Sequence, residues 1–150
     1  MNQCGKIRLA GLVMGYKLSM NPKIILPKPP SINHIYGFTS RGGFARSYIT
    51  KIGREWFEVA GEKIKQQWKK RTPITKDIEV FIELFTSRRQ DIDNILKPIL
   101  DLLQKNGVIE NDSQIVVLNV EKYRCKRDGE KVTILVWEDS ASLTLPEDVV

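Results

Sequence analysis

The chain has 150 residues, which fits one domain of ~100–200 residues, and a net charge of +6 from 24 Lys and Arg against 18 Asp and Glu. A hydrophobic fraction of 41% with three Trp excludes wholesale disorder, and no apolar run approaches the ~18 residues of a membrane span. Cys4 and Cys125 form no CxxC pair, which argues against a zinc cage or a disulfide framework and for the reducing cytosol.

Residues 1–20 read as an N-terminal extension. Their apolar stretch is too short for a signal peptide and no small-residue cleavage site follows. The domain is expected over residues 21–139, with a loose tail over 140–150. Lys23 to Leu26 is a short β-type run that ends in Pro27-Lys28-Pro29-Pro30. Residues 36–48 read as a loop rich in glycine and aromatics. From Thr50, a plausible N-cap, the pattern is helical: Ile52, Trp56, Val59 or Ala60, Ile64 and Trp68 recur at three and four. Pro73 is expected to end that helix near Arg71.

Ile78 to Phe85 alternates as a strand with one better-buried face. A second helix is expected from Asp93 or Asn94 to Asn106, with Gly107 as its stop. Pro98 should hold the start of that helix close to Asn94, because proline is tolerated in a first turn but not deeper. Ile115 to Tyr123 and Val132 to Trp137 read as strands joined by a hairpin turn at Asp128-Gly129. The order β, α, β, α, β, β predicts an α+β fold: a single two-layer domain with a small mixed β-sheet packed with two main helices.

The charge is unevenly spread. Residues 1–71 carry 14 basic and 3 acidic side chains, whereas residues 72–150 carry 10 and 15. A basic half suggests a polyanionic partner, most often nucleic acid. The acidic half then needs a cation between its carboxylates and phosphate. Asp91 and Asp93 stand two apart just after a strand, so their side chains point the same way in extended chain. Such hard oxygen donors suit Mg²⁺ or Mn²⁺. The plain alternative makes Asp93 a helix N-cap and pairs Asp91 with Arg88 or Arg89. Lys97 lies one helical turn after Asp93, in a polar stripe with Asn94, Asp101 and Gln104 on an otherwise apolar helix. Lys97 and Asp101 could form a simple i,i+4 pair, or Lys97 could stabilise transition-state charge beside a metal. Asp112, in Glu110-Asn111-Asp112, could reach the helix only through folding. These parts suit metal-assisted phosphodiester hydrolysis.

The stretch from Arg89 to Pro98, then Asp101, then Gly107 to Asp112 and Gln114, resembles the RusA-type Holliday-junction resolvases, as do Pro29-Pro30-Ser31, Asn33 and Tyr36. The resemblance covers roughly residues 22–138. It implies a homodimeric, Mg²⁺-dependent endonuclease (Mn²⁺ being a plausible substitute), often carried by phages and prophages, that resolves four-way DNA junctions in recombination and repair. It implies that Asp91, Asp93 and Asp112 ligate the metal, that Lys97 is the catalytic lysine, and that Arg89 and Asn94 sit near the scissile phosphate. Glu110 departs from the paired Asp-Asp of some members.

The DNA-binding set expected is Arg41, Arg46, Lys51, Arg54, Arg88, Arg89 and Asn94. Phe38, Phe44 and Tyr48, interleaved with Arg41 and Arg46, could stack on unpaired bases or fill a dimer core. His34 reads as a surface loop residue, and Trp56 and Trp68 as core or dimer interface. A two-fold dimer suits a four-way junction, since it sets two active sites on opposed strands. No membrane and no small-molecule cofactor are expected, and the place of action is the nucleoid in the cytoplasm. Two rivals stay open: a DNA- or RNA-binding regulator without catalysis, and a nuclease of the same chemistry acting on flaps, RNA or linear DNA.

Overall fold

Three consecutive isoleucine and leucine residues start the fold, and the prolines after them stop it. β1 (Ile24–Leu26) is an edge strand of three residues. The computed structural model describes residues 22–139, so the extension and the tail expected at the two ends lie outside the described residues. After the prolines comes a single helical turn, α1 (Ile32–Ile35), which the sequence reading did not include.

The segment read as a loop is a β-hairpin. β2 (Tyr36–Arg41) pairs antiparallel with β3 (Phe44–Ile49), with Arg41 opposite Phe44. Gly42 and Gly43 both have positive φ, +64° and +81°, as a two-residue type I′ turn demands. Nearly every residue of this arm is exposed. Its sequence therefore lacks the apolar and polar alternation by which a half-buried strand is recognised.

α2 (Lys51–Gln67) begins where expected: Thr50 Oγ1 accepts from the Gly53 amide at 3.1 Å. It stops four residues short of Arg71. At Gln67 the side chain turns aside to the edge of β1, accepting from Ile25 N at 2.7 Å and donating to Ile25 O at 2.8 Å. Trp68 then leaves helical geometry and enters the core at 5% exposure. Trp56 is core as well, and its indole donates to Pro27 O at 3.1 Å.

β4 (Ile78–Thr86) is the central strand. It lies parallel to β5 (Ile115–Arg124) and antiparallel to β6 (Lys131–Glu138), in the sheet order β1-β6-β4-β5. The alternation of β4 predicts one better-buried face, and Ile78, Val80, Ile82 and Leu84 form it, all fully buried. The other face is covered less completely: Phe81 and Glu83 are each 8% exposed, and Glu79 and Phe85 are half-buried. Glu83 is held by Thr133 Oγ1 at 2.6 Å and Lys23 Nζ at 3.2 Å.

α3 (Asp93–Lys105) links β4 to β5, as a parallel pair requires. Asp128-Gly129 does not close a hairpin. It lies in a 3-10 turn on a connection that steps across β4, since β5 and β6 flank β4 and do not pair with each other. The core joins Val80, Ile82, Leu84, Val132, Ile134 and Val136 of the sheet to Trp56, Ala60 and Ile64 of α2 and Ile95, Ile99, Leu102 and Leu103 of α3. The outcome is a single α+β domain: a mixed four-stranded sheet, a separate hairpin and two main helices.

Candidate active site

The end of β4 is fastened before the acidic motif begins. Glu130 Oε1 accepts from Ser87 N at 2.9 Å and Ser87 Oγ at 2.6 Å, and Lys28 Nζ lies 3.1 Å from the same oxygen. These contacts hold the Glu130 carboxyl down at about 2, the Ser87 hydroxyl contributing most, then the Ser87 amide and Lys28. Lys122 Nζ donates to Gln90 O at 2.9 Å. The short loop carrying Arg88, Arg89 and Asp91 is thus anchored at both ends, with all three side chains exposed.

Asp93 is not the N-cap. Ile92 holds that position with helical φ and ψ and no side-chain cap bond, and Asp93 is the first helical residue. The helix begins close to Asn94, as expected, but Pro98 sits beyond the first turn and is buried. It cannot donate to the Asn94 carbonyl, and packing of the apolar face compensates.

One face of α3 forms the wall of a cleft of about 350 Å³ lined by Asp93, Leu96, Lys97, Leu100, Asp101 and Asp112. Lys97 Nζ is 3.6 Å from Asp101 Oδ2 and 5.9 Å from the centre of the Tyr36 ring. Tyr36 Oη donates to Asp101 Oδ2. Burial first, then that hydrogen bond and the Asp101 charge, push the Tyr36 phenol well above its ordinary value. Tyr36 therefore stays protonated across any physiological pH.

Asp112 reaches the cleft through a second clamp. It opens a 3-10 turn, Asp112–Gln114, capped by Asn111. The Gln114 amide is buried and uses its full bonding capacity. Its Nε2 donates to Ile74 O at 2.8 Å and Lys76 O at 2.9 Å, and its Oε1 accepts from Glu110 N at 2.9 Å and Asn111 N at 2.8 Å.

The fold thus brings Asp93, Lys97 and Asp112 together and leaves Asp91 off the cleft lining. Among the described residues no three His, Cys, Asp or Glu side chains gather closely enough to grip an ion. The stripe is strung out, since ~12 Å of helix axis separates Asp93 from Asp101. The donor chemistry nevertheless fits a hard divalent cation. The carboxylates of Asp91, Asp93 and Asp112 are exposed and spend no oxygen on a partner among the described residues.

Arg41 and Arg46 stand on the hairpin, and Lys51 and Arg54 on the exposed first turn of α2, Lys51 lying 3.9 Å from Glu55. Asn94 is half-buried, and Glu110 is exposed. His34 is exposed and bonded to Ser31. Two contributions to the candidate site were missed. The tie between Asp101 and Tyr36 joins residues 65 apart and left no trace in local spacing. Gln114 looked like part of a motif, and its clamp depends on the carbonyls of Ile74 and Lys76.

A family profile described as Endodeoxyribonuclease RusA matches residues 27–136, a span that includes the whole cleft. The chain is 35% identical over 119 residues to a crossover junction endodeoxyribonuclease of Enterobacteria phage HK97, covering 75% of this chain and 94% of the phage protein. It is 33% identical over 114 residues to a crossover junction endodeoxyribonuclease of Aquifex aeolicus (strain VF5), covering 73% and 84%.

Proposed function

The chain belongs to the RusA family of endodeoxyribonucleases, and from that premise we infer how its cleft cuts DNA. It is a crossover junction endodeoxyribonuclease, acting on four-way junctions, and the family is metal-dependent. Our reading adds Mg²⁺ as the ion, with Mn²⁺ as a substitute, and a homodimer as the working form. The observation that carries the assignment of the site is the convergence of Asp93, Lys97, Asp101 and Asp112 on one cleft.

Asp93 and Asp112 would hold the ion with Asp91, which stands on the loop just ahead of α3. When bound, the ion supplies a Lewis acid for the phosphoryl oxygen and lowers the pKa of the attacking water. Lys97 offsets the negative charge that grows on the phosphate during attack. Asp101 keeps the ammonium on the cleft side of the helix, and Tyr36 occupies the lone pair that would otherwise compete for water. Arg88, Arg89 and Asn94 flank the scissile phosphate, while Arg41, Arg46, Lys51 and Arg54 meet the backbone beyond it. Two such sites in a two-fold dimer face two opposed strands, which makes the incisions paired. A phage-type relative is consistent with action on DNA in the cytoplasm of an infected or prophage-carrying cell.

The deciding experiment incubates a synthetic four-way junction and a matched duplex with and without Mg²⁺. Asp93→Asn should keep junction binding and cut at least about a hundredfold more slowly. Wild-type cutting by this variant would overturn the assignment of the site. Binding with no cutting under any divalent ion would favour a regulator without catalysis. Equal cutting of duplex, flap or RNA would redirect the substrate.

A further inference from the structure

The β2–β3 arm leaves three large rings in solvent: Phe38 is 79% exposed, Phe44 74% and Tyr48 51%. A two-stranded hairpin is marginal by itself in water, and exposed aromatics of this size mark contact surfaces. The ladder register sorts the arm into two faces, because directly opposed residues share a side. Gly37, Thr39 and Arg41 lie with Tyr48, Arg46 and Phe44, while Tyr36, Phe38 and Ser40 lie with Ile49, Ser47 and Ala45. Along β3 the first face reads aromatic, cation, aromatic in steps of ~6–7 Å. Arg41 stands directly across from Phe44, and no residue from 36 to 49 is acidic.

Gly37 turns this face into a platform. A Cβ placed there would lie 2.6 Å from Tyr48 Oη and 2.9 Å from Tyr48 Cε1. The Tyr48 ring therefore rests over the Gly37 backbone, in space that any side chain would fill, and about half of its surface stays open. The arm is also rooted in the cleft wall, since Tyr36 begins β2 and donates to Asp101.

We propose that this face of the arm is a nucleobase-stacking site, in which Tyr48 and Phe44 take bases splayed from a branch point and Arg46 and Arg41 hold the phosphates between them. The proposal rests on the reading of the chain as a junction nuclease and adds the feature by which unpaired structure is recognised. Stacking is tolerant of sequence because every base has a π-face. A fully paired duplex has no free base face to offer. The arm's positive charge with no acidic residue favours a strand of nucleic acid over an acidic-patterned protein surface.

The test is a set of metal-free anisotropy titrations with a four-way junction and a matched duplex. Tyr48→Ala and Phe44→Ala should each weaken junction binding about tenfold and leave duplex binding within about twofold. Gly37→Ala keeps both rings, yet it should match Tyr48→Ala, because the new methyl displaces the ring from its seat. The far end of that side chain can swing away without unfolding the arm. Tyr48→Phe should bind as the wild type does, since stacking needs the ring and not the hydroxyl. Unchanged junction affinity in Gly37→Ala and Tyr48→Ala would overturn the proposal, as would equal losses on duplex and junction. Light scattering is the second arm: if Phe44→Ala or Tyr48→Ala turns a dimer into a monomer, the arm is a contact between copies and the proposal fails. A wild type that binds junctions but cuts none in Mg²⁺ would overturn the nuclease reading and leave the stacking result intact.

Discussion

At Asp101 a carboxylate meets a phenol and an ammonium, with Tyr36 as its donor and Lys97 Nζ 3.6 Å away. Removing the negative charge should loosen Lys97 without touching the strand that binds. Asp101→Asn is expected to lower junction turnover about tenfold at saturating DNA while junction affinity holds. Single-turnover and binding measurements made side by side check the split. Tyr36→Phe keeps the ring near Lys97 and loses only the donor, so its loss should be smaller. Because the phenol is held in its protonated form, Tyr36→Phe should leave the alkaline limb of the pH–rate profile where it was. Glu130 gives a second prediction. Its folded value, about 2 against an ordinary 4.5, means that its stabilisation is present in full above the ordinary value and is lost as pH falls toward the folded one. Thermal melts should therefore show wild type more stable than Glu130→Gln at pH 7, with the gap closing between about pH 4.5 and 2.

The two elements that build the cleft are positioned by different forces. α3 is seated by packing: Ile95, Ile99, Leu102 and Leu103 are fully buried. Leu102→Ala should cost about 2–5 kcal/mol in chemical denaturation. That face was legible from the apolar pattern, as was the polar stripe facing away from it. The turn bearing Asp112 is seated by the four hydrogen bonds of Gln114. Gln114→Ala leaves two carbonyls and two amides without that partner, and about 2–4 kcal/mol should be lost. Cleavage should fall further than folding alone explains, and comparing the two at a temperature where the variant is fully folded checks this. The β2–β3 hairpin and the end of α2 were not legible. The hairpin is exposed on both sides, so nothing in its pattern marks an inside. α2 ends where Gln67 finds the edge of β1, a partner 42 residues earlier in the chain.

Taken whole, the mechanism we propose separates phosphate attraction from chemistry along the chain. The surplus of positive charge lies in the first half of the chain and the aspartates of the cleft in the second. Junction binding should fall steeply with salt, by roughly a thousandfold or more between 50 and 200 mM if six or more phosphates are neutralised. Anisotropy titrations across that range give the slope, and a flat response would count against the Arg and Lys contacts proposed for the arm and α2. The paired incisions proposed for the two-fold form require a dimer in solution, which light scattering at working concentration measures directly.

The sequence by itself determined the motif on which the proposed chemistry rests and most of the elements. Asp91, Asp93 and Lys97 lie within seven residues, and the apolar periodicity of two helices and three strands is local, so short-range rules reach them. Tertiary structure alone decided which of those residues share a cleft, because that depends on contacts across tens of residues. It set Asp112 beside α3 through Gln114, tied Asp101 to Tyr36, left Asp91 on the loop ahead, and placed β4 between β5 and β6. Local pattern is silent on such choices, since a side chain's partner across the core is selected by packing and by unsatisfied backbone groups rather than by its neighbours in the chain.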